Sequence, residues 1–164
     1  MMDARNLWRP TTRRVMRSRG MLLQPPPRPA SDARLTRFTN LLDTLTDGER
    51  ALEAAHRSVE RGDPAQAERQ LTDFIVRAQP VLEHSRDLPG EYVDLLGQSL
   101  ARSLVARAGA WSEQALGSGS DTETLLRAAW GDVASVNQLP ASWLDQKTRM
   151  ALARLEHVLE PTAA

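Results

Sequence analysis

Residues 91–116 read EYVDLLGQSLARSLVARAGAWSEQAL, and this stretch decides the fold. Val93, Leu96, Leu100, Leu104, Ala108, Trp111 and Ala115 recur at steps of three and four, which sets them on one face of a helix. Between them Gly97, Ser99, Ala101, Ser103, Ala106 and Gly109 are small, so a neighbouring helix can approach closely. Pro89-Gly90 marks a turn before this helix, and Gly117-Ser118-Gly119-Ser120 reads as a flexible connector after it. Nowhere in the chain do apolar residues alternate at period two over a useful length, so no strand is expected.

The same reading extends toward the amino terminus. Asp63 is placed to cap a helix, with Pro64 in its first turn and Gln66 completing a capping box. Ala67, Leu71, Phe74, Ile75 and Ala78 form its inner face, and Pro80 is expected to kink or end it, with a further turn through Val81, Leu82 and His84. Upstream, Ser31 is a favourable N-cap, and Phe38, Leu45, Leu52 and Val59 fall seven apart with Leu41, Leu42 and Ala55 between them. That stripe predicts one helix over residues 32–61, stopped by Gly62; the alternative is a break near 46–48, where Thr46-x-x-Glu49 forms a capping box around Gly48.

Toward the carboxyl terminus, Ser120 or Asp121 caps a helix carrying Leu125, Leu126, Ala129, Trp130, Val133 and Val136. After Leu139-Pro140 the last helix shows Leu144, Thr148, Ala151, Leu155 and Val158, and Glu160-Pro161 ends it. The expected fold is all-α: a single bundle of four to five largely antiparallel helices over residues 31–160. A basic, Pro-rich arm over 1–30 precedes the bundle, and a short tail over 161–164 follows it.

Composition narrows the chemistry. With 164 residues the chain is about one domain long, and its 41% apolar content can furnish a core. The absence of Cys removes disulfides, Cys-containing zinc sites, iron–sulfur clusters and thiol nucleophiles together. The longest apolar run, Met150 to Ala153, is far too short to span a membrane. There is no G-x-S-x-G elbow, no Walker loop and no G-x-G-x-x-G fingerprint. Glu53-Ala-Ala-His56 is a Glu-x-x-His step, but carboxylate-bridged di-iron bundles use that step twice with a Glu from each of two further helices. A single copy reads as a solvated pair, so neither a metal nor another cofactor is expected, and a metal-dependent bundle enzyme is the least favoured function.

The zero net charge conceals an asymmetry. Residues 1–40 carry nine Arg against Asp3 and Asp32, a net charge of +7 balanced by −7 on the rest. Arginines supply 20 of the 21 cations, Lys147 being the exception. Gln24 to Ala30 (QPPPRPA) favours polyproline II, a stiff spacer that also contains one P-x-x-P. Arg13-Arg14 is not followed by an apolar signal core, whereas Arg richness and the seven-residue spacing of Trp8, Val15 and Leu22 are also features of an organellar presequence. The arm is read as part of the mature protein, and the expected location is the cytoplasm or the interior of a macromolecular particle.

Arg61-Gly62-Asp63-Pro64-Ala65-Gln66-Ala67 followed by Leu71 resembles the middle of a tetratricopeptide hairpin, but a second copy about 34 residues on is absent. The wider pattern, VERGDPAQAERQLTDFIVRAQP and then LPGEYVDLLGQSLARSLV, is similar to short helical modules attached to secreted bacterial proteins, which would imply a non-catalytic spacer. Any capped helical hairpin shows both patterns, and no family is assigned on them.

The function expected is therefore that of a non-catalytic accessory or structural subunit docking into a larger protein assembly. Trp8, Arg9, Arg13, Arg14, Arg17, Arg19 and Leu22 are the arm residues expected to meet the partner, and Trp143 is the candidate interface anchor on the bundle. The alternative is nucleic-acid binding, with the arm's arginines on phosphates. Phe74, Leu100, Leu104 and Leu155 are expected in one buried cluster, and Leu→Ala at 100 or 104 should cost about 2–5 kcal/mol in urea unfolding.

Overall fold

The first 31 residues described wind into one unbroken helix, α1 (Ala30–Glu60). α2 (Pro64–Glu83), α3 (Gly90–Gly117) and α4 (Thr122–Asn137) follow, then a single 3-10 turn (Ala141–Trp143) and α5 (Gln146–Leu159). The structure is a computed structural model that describes residues 30–117 and 121–160. Among those residues there is no strand, and the helices pack against one another as an all-α bundle. Residues 1–29 of the arm, the connector residues 118–120 and the tail 161–164 lie outside the described residues, while Ala30 already belongs to α1.

α1 does not break at Gly48. The Thr46 hydroxyl donates back to the Leu42 carbonyl at 3.0 Å, inside the helix, and so caps nothing. Gly48 is needed for another reason. A Cβ there would lie 2.7 Å from the Phe74 ring on α2 and 3.3 Å from Ser99 Cβ on α3. Gly48 thus lets three helices meet. The centre of the buried face is Leu41, Gly48 and Ala55, also seven apart, while Phe38, Leu45, Leu52 and Val59 flank it half-buried and Leu42 faces solvent. The expected stripe has the right period but is rotated, because small residues must sit where the axes close and bulky ones beside them. Ser31 lies inside α1, since the helix starts one residue earlier than its cap reading requires.

The α1–α2 turn follows its sequence signals closely. Gly62 adopts φ 77°, a left-handed conformation that glycine reaches without a Cβ clash. Asp63 Oδ1 accepts from the Gln66 amide at 2.9 Å, but the Gln66 side chain turns to Arg69 instead of completing the box. All five residues of the expected inner face of α2 are buried. Pro80 neither ends the helix nor stops Leu82 from packing in the core; α2 continues through it to Glu83.

α3 is the centre of the bundle. It packs against α1, α2, α4, α5 and the 3-10 turn. Its buried residues surround the axis: Leu96, Leu100 and Leu104 on the predicted face, and Gly97, Ser99, Ala101, Ser103 and Ala110 elsewhere. Val93 and Trp111, expected on the core face, are only half-buried. Phe74, Leu100 and Leu104 share one cluster, with Leu155 half-buried at its edge.

The last helix departs most from expectation. It begins at Gln146, two residues beyond Leu144, because Asp145 caps it by accepting from the Thr148 amide at 2.7 Å and hydroxyl at 2.8 Å. Its inward residues are Thr148, Leu152 and Leu159, and Val158 is 57% exposed. A heavily apolar helix end (Ala151 to Leu155, then Val158-Leu159) fits either phase, and the cap at Asp145 selects this one.

Glycine substitutions read the close approach directly. Gly48→Leu should lower stability by about 1–3 kcal/mol through overpacking, despite Leu's better helix propensity. Gly131→Ala on α4, where a Cβ meets nothing within 4 Å, should raise it by about 0.5–1 kcal/mol. Urea midpoints of the two variants check both signs.

Candidate functional site

Two polar clusters stand out against this core. The first grows from an acid on the inner face of α4. Asp132 lies between Ala129, Val133 and Val136, and it is 5% exposed. A carboxylate so placed requires a cation, and Arg107 on α3 supplies it bidentately: Nε donates to Oδ2 at 2.8 Å and Nη2 to Oδ1 at 2.7 Å. The same guanidinium donates through Nη1 to Thr72 Oγ1 on α2 at 3.0 Å and lies 4.7 Å from the Trp111 ring centroid. Thr72 in turn donates to Glu68 Oε1 at 2.8 Å. One arginine therefore ties α2, α3 and α4 together. Burial pushes the Asp132 carboxyl above its ordinary value, Arg107 pulls it back, and Glu68 adds a smaller upward push. Removing Arg107 would strand a buried charge.

The second cluster sits where α1, α3 and the start of α5 converge. Arg102 donates from Nε and Nη2 to Asp145 Oδ2 at 3.1 and 2.9 Å, and its Nη1 lies 3.7 Å from Glu49 on α1. Ser99 donates to Glu49 Oε1 at 3.3 Å. Asp145, held by Thr148 first and by Arg102 second, has its carboxyl below the usual range. A surface groove of about 410 Å³ opens beside it, lined by Arg102, Val105, Ala106, Lys147, Thr148 and Ala151.

The expected site residues fare differently. Trp8, Arg9, Arg13, Arg14, Arg17, Arg19 and Leu22 lie outside the described residues. Trp143 is half-buried on the 3-10 turn, with its ring over Gly97; a Cβ at Gly97 would fall 2.1 Å from it. Its Nε1 donates to Asp94 Oδ1 at 2.9 Å, so the ring is engaged with its own chain. Trp130 and Trp111 are half-buried at the margin of the core. Glu53 and His56 each lie beside another residue: Glu53 is 3.7 Å from Arg57 and His56 is 3.3 Å from Glu60, all on the exposed side of α1. No group of three or more His, Cys, Asp or Glu among the described residues is arranged to hold a metal ion.

Sequence reasoning missed Asp132, Arg107, Asp145 and Arg102. Two signals were present. Asp132 interrupts an apolar face, which marks a buried acid in need of a partner. Asp145 precedes Thr148 by three, the spacing of a helix cap. Comparison with protein-family models, with curated proteins and with solved structures finds no match.

The pH dependence of Asp145 has a definite sign. Its folded carboxyl binds protons less readily than an ordinary Asp, so the stabilisation is complete above the unfolded value near 3.8 and is lost as pH falls through the lowered folded value. Asp145→Asn keeps a capping side chain but not the charge. The stability gap between native protein and this variant should be constant from about pH 7 to pH 5 and shrink below about pH 4, followed by thermal melts.

Proposed function

We propose that this chain is a non-catalytic helical accessory subunit that docks into a larger protein assembly through its basic arm and its bundle surface. The charge division carries the reading: +7 on residues 1–40 against −7 on the rest. The arm is basic and Pro-rich, and its Arg residues and Trp8 are the types that dominate protein interfaces. The ionisable groups of the bundle support the same reading. Arg107, Asp132, Arg102 and Asp145 are spent on joining helices. No helix of the described residues is long and apolar enough to cross a membrane.

Deletion of residues 1–30 tests this. The melting temperature of the remaining bundle should stay nearly unchanged, while native sizing of cell extract should show the full chain in a larger assembly and the truncated chain outside it. A truncated chain that still assembles normally would contradict the reading. Replacing Arg13, Arg14, Arg17 and Arg19 with Gln separates the two kinds of partner. On a protein partner, Trp8→Ala and Leu22→Ala should weaken docking as much as the Gln changes. A fall of log affinity with log salt at about −0.7 to −0.9 per contact would assign the arm to nucleic acid instead.

A further inference from the structure

α5 covers only part of α3. Beyond the Arg102 cluster, a groove of about 340 Å³ runs between α1, α2 and α3, floored by Ala67, Ala106, Gly109 and Ala110 and walled by Leu52 and Val59; no α5 residue lines it. Gly109 has no internal duty there, because a Cβ at that position meets nothing within 4 Å. Glycine in mid-helix costs about 0.5–1 kcal/mol relative to Ala, and the chain's own packing does not explain it.

The charges along this face complete the argument. Arg102, Ala106, Gly109 and Glu113 succeed one another at steps of four, three and four, so they share one side of α3. Turned antiparallel about a two-fold axis, the series meets itself with Arg102 opposite Glu113 and Ala106 opposite Gly109. Both ends are then of opposite charge, and the middle is small enough for close helix approach. Arg102 is already oriented by Asp145 and Glu49, yet 38% of its side chain remains open to a further carboxylate. Lys147, in the first turn of α5, lines the surface groove beside Arg102.

We propose that two copies of this chain associate through the α3 face Arg102–Ala106–Gly109–Glu113, antiparallel about a two-fold axis. This interface is independent of the arm. Light scattering on the eluting full-length protein should give twice the chain mass. Gly109→Leu, which fills the groove while favouring the helix, should give a single chain mass with an undiminished thermal melt. Gly131→Leu, at the equally open glycine on α4, should leave the dimer intact. Glu113→Arg should raise the dissociation constant about tenfold or more, because it sets Arg against Arg102 of the second copy. A native chain that stays monomeric up to millimolar concentration, or a Gly109→Leu chain that remains dimeric, overturns the proposal.

Discussion

Everything in this bundle depends on how closely α1 and α2 can approach α3. At Gly48 the Phe74 ring and Ser99 occupy the space a side chain would need. That contact allows a single helix to be buried around most of its circumference by residues no larger than serine on several sides. It also explains why α3 shows both a leucine face and a small-residue face. The leucines fill the volume toward α2 and α4, and the small residues admit neighbours whose own side chains provide the bulk. Trp143 repeats the device at Gly97, where the ring takes the place of the missing Cβ and anchors the turn before α5.

The polar clusters follow from the same geometry. Helices packed this tightly leave few buried positions for charge, and the one buried acid among the described residues, Asp132, is satisfied by an arginine reaching from α3. A buried pair of this kind adds little net stability over an apolar replacement, but it fixes which faces of α2, α3 and α4 meet. The Arg102 cluster does likewise for α1, α3 and α5 at the surface. The charges thus specify packing.

Much of the fold was legible because its signals are local. The turn at Gly62-Asp63-Pro64 and the inner face of α2 needed only neighbouring residues, and both stand as read. What failed was phase, whereas the single helix expected over 32–61 and the further turn expected after Pro80 are both present. Gly48 and Pro80 are helix breakers by local preference, yet tertiary packing carries α1 and α2 through them. Of the stripe expected for α5, Thr148 is buried and Leu144, Ala151 and Leu155 pack against the core, but Val158 faces solvent. The helix starts only after Leu144, at the Asp145–Thr148 cap that periodicity does not show. Of the site, the Glu53/His56 pair was visible but points to solvent. The Arg107–Asp132 pair joins residues 25 apart in the chain, a contact no single helix pattern contains.

Hydrogen exchange measured amide by amide tests the central role of α3 most directly. If the other helices are organised on α3, its amides from Leu96 to Ala108 should exchange only through global unfolding, with protection equal to the whole stability of the bundle. Amides of α5, which joins the bundle along one side, should open at lower cost. Exchange of the α3 amides through local openings as frequent as those of α5 would contradict the account.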